Sequence, residues 1–208
     1  MATTIIIIIT KGAKIMSLAK SILVYDSTGN SEKTLLACHA AEGRLFLTES
    51  ICMDTATQFM SLMQYMESEK KTVQLFINCC GGEVNAGLLM YDLIRTYPYD
   101  MEIYCTGLAA SMAAILLAGG RKGKRFILPH SHVLIHEPRV PEGFGGTATT
   151  IEKQAQSILE IKTTVNSLLA EATGKSLDEI NEATAYDNFM TAEEAVAFGI
   201  CDEIKAIY

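Results

Sequence analysis

The sequence predicts an α/β fold built on a mostly parallel sheet. Strand-like runs at 44–51, 73–78, 103–106, 125–129, 132–136 and 200–204 alternate with stretches whose apolar residues recur at helical spacing. Glycine pairs and capping signals stand between the two kinds of segment, and no repeat or linker divides the chain. Strands that alternate with helices pair in parallel through right-handed crossovers, and such sheets bind ligands at the carboxyl ends of their strands.

A chain of 208 residues, 49% hydrophobic and 20% charged, forms one domain of ordinary size. A net charge of −7 argues against nucleic acid or an anionic membrane as partner. The six cysteines form no C-x-x-C pair, and Cys79 and Cys80 are adjacent. Buried free thiols in a reducing compartment fit this pattern, so the expected location is cytoplasmic. The opening isoleucine run, Ile5 to Ile9, lacks a basic n-region and is shorter than a signal peptide's apolar core. It reads as a β-prone edge or contact segment.

Residues 13–43 carry a turn signal at Asp26-Ser27-Thr28-Gly29-Asn30 and no clear periodicity. They make 1–43 an atypical N-terminal segment, with a single domain over 44–208. Residues 44–51 read as a strand, and Asp54 as the N-cap of a helix carrying Ala56, Phe59, Met60, Met63 and Met66. Residues 73–78 form the next strand, closed by Gly81-Gly82, and residues 84–96 the next helix. After the segment at 103–120 come strands at 125–129 and 132–136, a glycine-rich loop at 141–146 and a long helix at 149–172. Ser176-Leu-Asp-Glu179 and Thr191-Ala-Glu-Glu194 are capping boxes that start two short helices, the second stopped by Gly199. Residues 200–204 form the last strand.

The chemistry centres on residues 103–120, a run without charge whose length approaches a membrane span. Its glycines, Thr106 and Ser111, its strand-like first third and its charged flanks fit a buried element of a sheet instead. The run bends at Gly107 and continues with helical character, which puts Ser111 where a strand hands over to a helix. There a hydroxyl can be exposed beside free backbone N–H groups, as a serine nucleophile needs. A buried Ala/Ser helix without chemistry accounts for the same residues. Gly81-Gly82 has the position of a backbone anion hole, and also that of a plain turn. Cys80 is a rival nucleophile with no basic neighbour in sequence. His130, His132 and His136 share one face of a continuous strand, as three zinc ligands could, but Pro129 spoils the register. His136 ends the apolar run Val133-Leu134-Ile135. Asp187 reads as a turn or cap residue.

From Arg44 to about Ile204 the chain resembles the ClpP family, the proteolytic subunits of the Clp protease. The matching pieces are Gly81-Gly82 after an Ile-Asn strand, Gly107-Leu-Ala-Ala-Ser111-Met112, Gly123-Lys-Arg-Phe126, Ile135-His136-Glu-Pro138, Asp187-Asn-Phe189, Glu194-Ala195-Val196 and Phe198-Gly199. The resemblance implies a ClpP/crotonase-like fold with a protruding handle helix. It also implies a serine endopeptidase with Ser111 as nucleophile, His136 as general base, Asp187 orienting the histidine, and the N–H groups of Gly82 and Met112 as oxyanion hole. No metal or organic cofactor is implied. The implied substrates are peptides and, with an ATPase unfoldase, unfolded proteins, and the implied assembly is heptameric rings stacked in pairs through the long helix.

The resemblance implies partner docking on Phe76, Tyr104 and Phe126, beside which this chain carries Gln74, Thr96 and Lys205 where the family has apolar residues. Other departures are Cys79-Cys80 for a Ser-Pro pair, Ala185-Tyr186 for a charged pair at the ring contact, Thr147 for a glutamine, and a longer loop before it. These keep a second reading open, a poorly active or regulatory ring subunit that assembles with a second ClpP-type subunit. A crotonase-type acyl-CoA enzyme is a third, disfavoured by the complete Ser–His–Asp set.

Overall fold

Short β-prone segments build the first part of the chain. Ile5–Ile8 forms β1, Ser21–Asp26 β2 and Gly29–Thr34 β3, an antiparallel sheet in the order β1-β2-β3. The computed structural model describes residues 5–8, 21–26, 29–139 and 145–207. The predicted turn falls where Asp26 pairs with Gly29, its two central residues lying outside the described residues, as do Ile9 and most of the glycine-rich loop. A short helix, α1 (Leu35–Ala41), follows, with the Thr34 hydroxyl accepting the Ala37 N–H at 3.1 Å. The sequence reading left residues 13–43 without elements; a hairpin and a helix turn occupy much of that stretch. The chain divides into two compact units, Met1–Leu45 and Phe46–Tyr208.

The larger unit alternates as predicted: β4 (Arg44–Leu47, which begins just before it), α2 (Met53–Ser68), β5 (Val73–Cys79), α3 (Val84–Thr96), β6 (Met101–Ala110), α4 (Met112–Ala118), β7 (Arg125–Ile127), β8 (His132–Ile135), α5 (Ala148–Thr173), α6 (Leu177–Thr184), β9 (Asn188–Met190), α7 (Ala192–Phe198) and β10 (Glu203–Ile204). The main sheet runs β10-β7-β6-β5-β4, and its pairings β5–β6, β6–β7 and β7–β10 are parallel. This is the mostly parallel α/β sheet that the alternation calls for.

Four predicted strands are longer than the real ones, 132–136 by the single residue His136 and the other three for local reasons. Ile51 leaves β4 to make an isolated parallel bridge with Gly82. Pro129 has no N–H to continue the β7 ladder beyond Leu128. The N–H groups of Ile200 and Cys201 turn back to the Ala195 carbonyl, so β10 starts only at Glu203. The start of α2 also differs. Cys52, in extended backbone, is the N-cap; Thr55 Oγ1 accepts its N–H at 2.8 Å, and Asp54 sits inside the first turn, where it favours the helix dipole.

Both later capping boxes are formed, at Ser176 and Thr191. The helix α5 has 26 residues, about 39 Å at 1.5 Å per residue, and its buried positions, Val165, Asn166 and Leu169, all lie in its second half. The first half is mostly exposed and projects as a handle. No helix is long and apolar enough to cross a membrane among the described residues; the uncharged run 103–120, weighed as a span, is divided between β6 and α4, whose seven residues are all buried.

One buried ion pair ties the end of the chain to the sheet. Arg125 on β7 is 1% exposed and donates to both Asp202 oxygens, at 2.9 and 2.5 Å, and to the carbonyls of Ala118 and Ala172. Burial raises the Asp202 carboxyl, but the Arg125 guanidinium and the N–H groups of Arg125 and Gly123 outweigh it and hold the carboxyl below its ordinary range. Removing one partner strands a buried charge, so Asp202→Ala is expected to cost about 3–5 kcal/mol of unfolding free energy in urea titrations. A depressed carboxyl stabilises the fold above its unfolded pKa of about 3.9, and that stability is lost as pH falls through the lower folded value. The gap between wild type and variant should therefore be flat from about pH 5 to 8 and shrink in acid. A gap that grows in acid contradicts this account.

Candidate active site

The site begins with the length of β6. Its first half lies between β5 and β7, with Tyr104 opposite both Phe76 and Phe126. At Gly107 the backbone turns to φ +130°, where a Cβ would stand 2.7 Å from Asn78 Oδ1. Asn78 Oδ1 accepts the Leu108 N–H, and Ser131 Oγ the Gly107 N–H. Beyond this bend the strand continues, so Leu108 to Ala110 belong to β6 rather than to the helix read from sequence. This second half pairs with β8, Ala110 opposite Leu134.

Ser111 follows directly. Its φ of 55° and ψ of −126° lie outside the ordinary regions, and Lys70 is the other non-glycine residue of positive φ among the described residues. Its N–H donates to the Leu134 carbonyl at 2.8 Å, and its carbonyl accepts the Ala114 N–H. The serine thus stands on a sharp strand-to-helix turn, half-buried, at the N-cap of α4. Among the described residues its hydroxyl has no hydrogen-bond partner.

The glycine pair is pressed against this turn. A Cβ on Gly81 would lie 2.6 Å from the Ala110 carbonyl oxygen, 2.8 Å from Ser111 Cβ and 3.0 Å from the Met112 nitrogen. One on Gly82 would lie 2.0 Å from the Ile51 carbonyl oxygen. The bridge to Ile51 uses the Gly81 carbonyl and the Glu83 N–H, leaving the Gly82 N–H without an acceptor among the described residues. Met112 is the first residue of α4, so its N–H is likewise outside the helical ladder. Beside the pair, Cys79 is buried; its sulfur accepts the Gly81 N–H and approaches the Glu49 carbonyl at 3.0 Å, and burial pushes its thiol up. Cys80 is exposed, and all described cysteines are free.

His136 follows β8 and Asp187 precedes β9. These strands pair antiparallel as Val133 with Met190, Leu134 with Phe189 and Ile135 with Asn188. Continued by one residue, this register sets His136 opposite Asp187. Ser111 and His136 line one pocket, walled by Val84, Met112, Ile115, Val165 and Leu169. Asp187 borders a neighbouring cleft that it shares with His136, Arg139 and Tyr186. His136 belongs to both. The hydrogen bonds of a triad are not drawn in this arrangement: His136 Nδ1 lies 2.6 Å from the Glu137 carbonyl, and Asp187 is paired with Arg139. The Arg139 hydrogen bond holds the Asp187 carboxyl below its usual range. His130 and His132 are exposed, and no group of three metal-ligating side chains occurs among the described residues.

Sequence reasoning missed Arg139, Glu137 and Lys162. The Glu137 N–H donates to the Thr184 carbonyl and its carboxylate accepts from Lys162 at 2.6 Å, tying the residues after His136 to α6 and α5. No spacing signal links these positions; Arg139 meets Asp187 through the β8–β9 pairing, and Glu137 meets Lys162 on α5 and Thr184 on α6.

The residues expected at a docking surface form a row across the sheet. The rings of Phe46, Phe76, Tyr104 and Phe126 stack at centroid separations of 5.2, 5.2 and 5.0 Å. Phe76, Tyr104 and Phe126 are buried, and Lys205 Nζ lies 4.1 Å from the Phe126 centroid. Glu102 accepts from Tyr104, Gln74 and Lys124 in the adjoining row.

A family profile described as Clp protease matches residues 27–207. The chain belongs to the Clp protease family. Over 187 residues it is 40% identical to the ATP-dependent Clp protease proteolytic subunit 2 of Chlamydia trachomatis serovar D, covering 87% of this chain and 90% of that protein. The subunit 2 proteins of Chlamydia trachomatis serovar A and Chlamydia muridarum match at the same identity and coverage. The α/β architecture described above is that of a Clp protease proteolytic subunit, and the chain is a member of a peptidase family, which removes the crotonase reading.

The glycine geometry yields a test. Gly82 and Gly123 both have positive φ, but a Cβ at Gly123 meets nothing within 4 Å. Gly82→Ala is expected to destabilise the protein by about 1–3 kcal/mol more than Gly123→Ala in urea titrations, because only the former drives an atom into backbone. Equal losses contradict the close approach at Ile51.

Proposed function

We propose that this subunit is a serine endopeptidase in which Ser111 is the nucleophile, His136 the general base and Asp187 the residue that orients and stabilises the histidine. The single observation that carries this reading is the junction at Ser111: an unpartnered hydroxyl on a strained turn, lining one pocket with His136 and flanked by the free N–H groups of Gly82 and Met112. In the proposed reaction Ser111 Oγ attacks the scissile carbonyl while His136 Nε2 takes its proton. Negative charge develops on the former carbonyl oxygen, which the two N–H groups stabilise at little reorganisation cost. His136 then protonates the leaving amine, and a water molecule, deprotonated by the same nitrogen, releases the acyl group. The apolar walls of the pocket favour an uncharged side chain next to the scissile bond.

The working form in this proposal is a pair of stacked heptameric rings joined through α5, acting on peptides and, when an ATPase unfoldase delivers them, on unfolded chains. The unfoldase docks on the aromatic row of Phe76, Tyr104 and Phe126. Lys205 lies over that row and must be displaced first, which weakens docking to the homomer. The subunit acts in the cytoplasm.

One observation favours the second reading, a regulatory subunit completed by a second ClpP-type subunit. His136 Nδ1 and Asp187 are both engaged by other partners. Chemistry separates the two. A fluorophosphonate probe should label the isolated protein at Ser111, and Ser111→Ala should abolish both labelling and peptide cleavage. His136→Ala should come close to the same loss, since such residues act as a unit. Labelling that persists in Ser111→Ala, or that maps to Cys80, overturns the assignment; labelling only after a second subunit is added supports the regulatory reading.

A further inference from the structure

The partner that Asp187 has chosen is the feature that the proposed chemistry leaves unexplained. By register its carboxylate stands across from His136, yet it is Arg139, three residues farther along the same segment, that donates to Asp187 Oδ1. His136 Nδ1 meanwhile faces the Glu137 carbonyl. A carbonyl only accepts, so this contact places the ring proton on Nδ1 and leaves Nε2 with the lone pair that a general base needs. The tautomer is the one an aspartate would impose, but the negative charge that would stabilise an imidazolium is directed elsewhere.

The surroundings leave one part free to move. Glu137 is tethered through its N–H to Thr184 and through its carboxylate to Lys162, and Pro138 restricts the backbone beyond it. The Arg139 side chain, 68% exposed, is held by Asp187 and by no other side chain among the described residues. A guanidinium in water exchanges partners at small cost, so this ion pair is a weak and reversible hold on the carboxylate.

We propose that Arg139 is a positioning residue that competes with His136 for Asp187, so that the subunit rests with its carboxylate diverted and gains reactivity when the Arg139–Asp187 pair opens. This rests on the Ser111–His136–Asp187 reading and adds to it a brake, set by charge and sensitive to salt. Nothing is transferred or oxidised; the step exchanges one acceptor of Arg139 for solvent and gives Asp187 to the His136 ring N–H, which lets go of the Glu137 carbonyl.

The test is the second-order rate of fluorophosphonate labelling of the full chain, measured for wild type, Arg139→Gln and Arg139→Lys. Arg139→Gln should label roughly 2- to 5-fold faster at low ionic strength, the scale set by an exposed pair, and Arg139→Lys should stay near wild type. Raising salt from about 0.01 M to 1 M, which shortens the screening length from about 30 Å to 3 Å, should speed wild type and leave Arg139→Gln unchanged. Adding Asp187→Asn should erase the gain. A rate for Arg139→Gln equal to or below wild type, or a salt response that survives the substitution, overturns the proposal while Ser111 labelling stands. Labelling that survives Ser111→Ala removes the triad reading, and this inference with it.

Discussion

The hydrogen bond from the Ser111 N–H to the Leu134 carbonyl, 2.8 Å long, marks the point where β6 ends and α4 begins, and the geometry of the site follows from it. An L-residue at φ 55° and ψ −126° is strained by about 1–3 kcal/mol. That conformation persists because its surroundings leave no alternative. All seven residues of α4 are buried, Gly81 lies against the Ser111 Cβ, and β8 holds the turn from the other side. The same bond aligns β8 with the end of β6, and β8 in turn aligns β9. Two strand pairings thus carry a hydroxyl, an imidazole and a carboxylate, from positions up to 76 residues apart, to one edge of the sheet.

Electrostatics divide the molecule into a fixed part and an adjustable part. Arg125 and Asp202 meet where the guanidinium is 1% exposed and every donor has a fixed acceptor, so the pair behaves as part of the core. Arg139 and Asp187 meet in the open, where water competes for both. The contrast fits the division of labour in the fold. The end of the sheet at β7 and β10 is locked, while the residues that follow β8 are anchored at Glu137 and left adjustable at Arg139. In the proposed reading, a carboxylate held this loosely can be released by a small change of environment, without refolding.

Much of this was legible in sequence where a single segment held the whole signal. The uncharged run 103–120, the bend at Gly107 and the glycine pair after β5 were readable because turn chemistry and hydropathy are local. The two late capping boxes were readable for the same reason. What escaped was either long-range or decided between competing local options. Arg139 meets Asp187 only through a β8–β9 register that no spacing encodes. Asp54 lost the cap of α2 to Cys52 because Thr55 closes the box at that position instead. The strand Gly29–Thr34, with the sequence GNSEKT, has no apolar alternation and is a strand because β2 pairs with it. Phe76, Tyr104 and Phe126 entered the sequence reading through the family resemblance alone, and that Lys205 lies over the rings of Tyr104 and Phe126 depends on where β10 ends.

The central claim is that Ser111 and His136 act on one bound peptide bond, and a peptide chloromethyl ketone tests it most directly. Such a reagent is attacked at its carbonyl by the serine and alkylates the histidine next to it, so both residues must be in reach of one bound peptide. Peptide mapping by mass spectrometry should find the alkylated residue to be His136, with the modification lost in Ser111→Ala while the fold is retained. Alkylation at Cys80 or another thiol, or alkylation of His136 that proceeds equally well in Ser111→Ala, would contradict it.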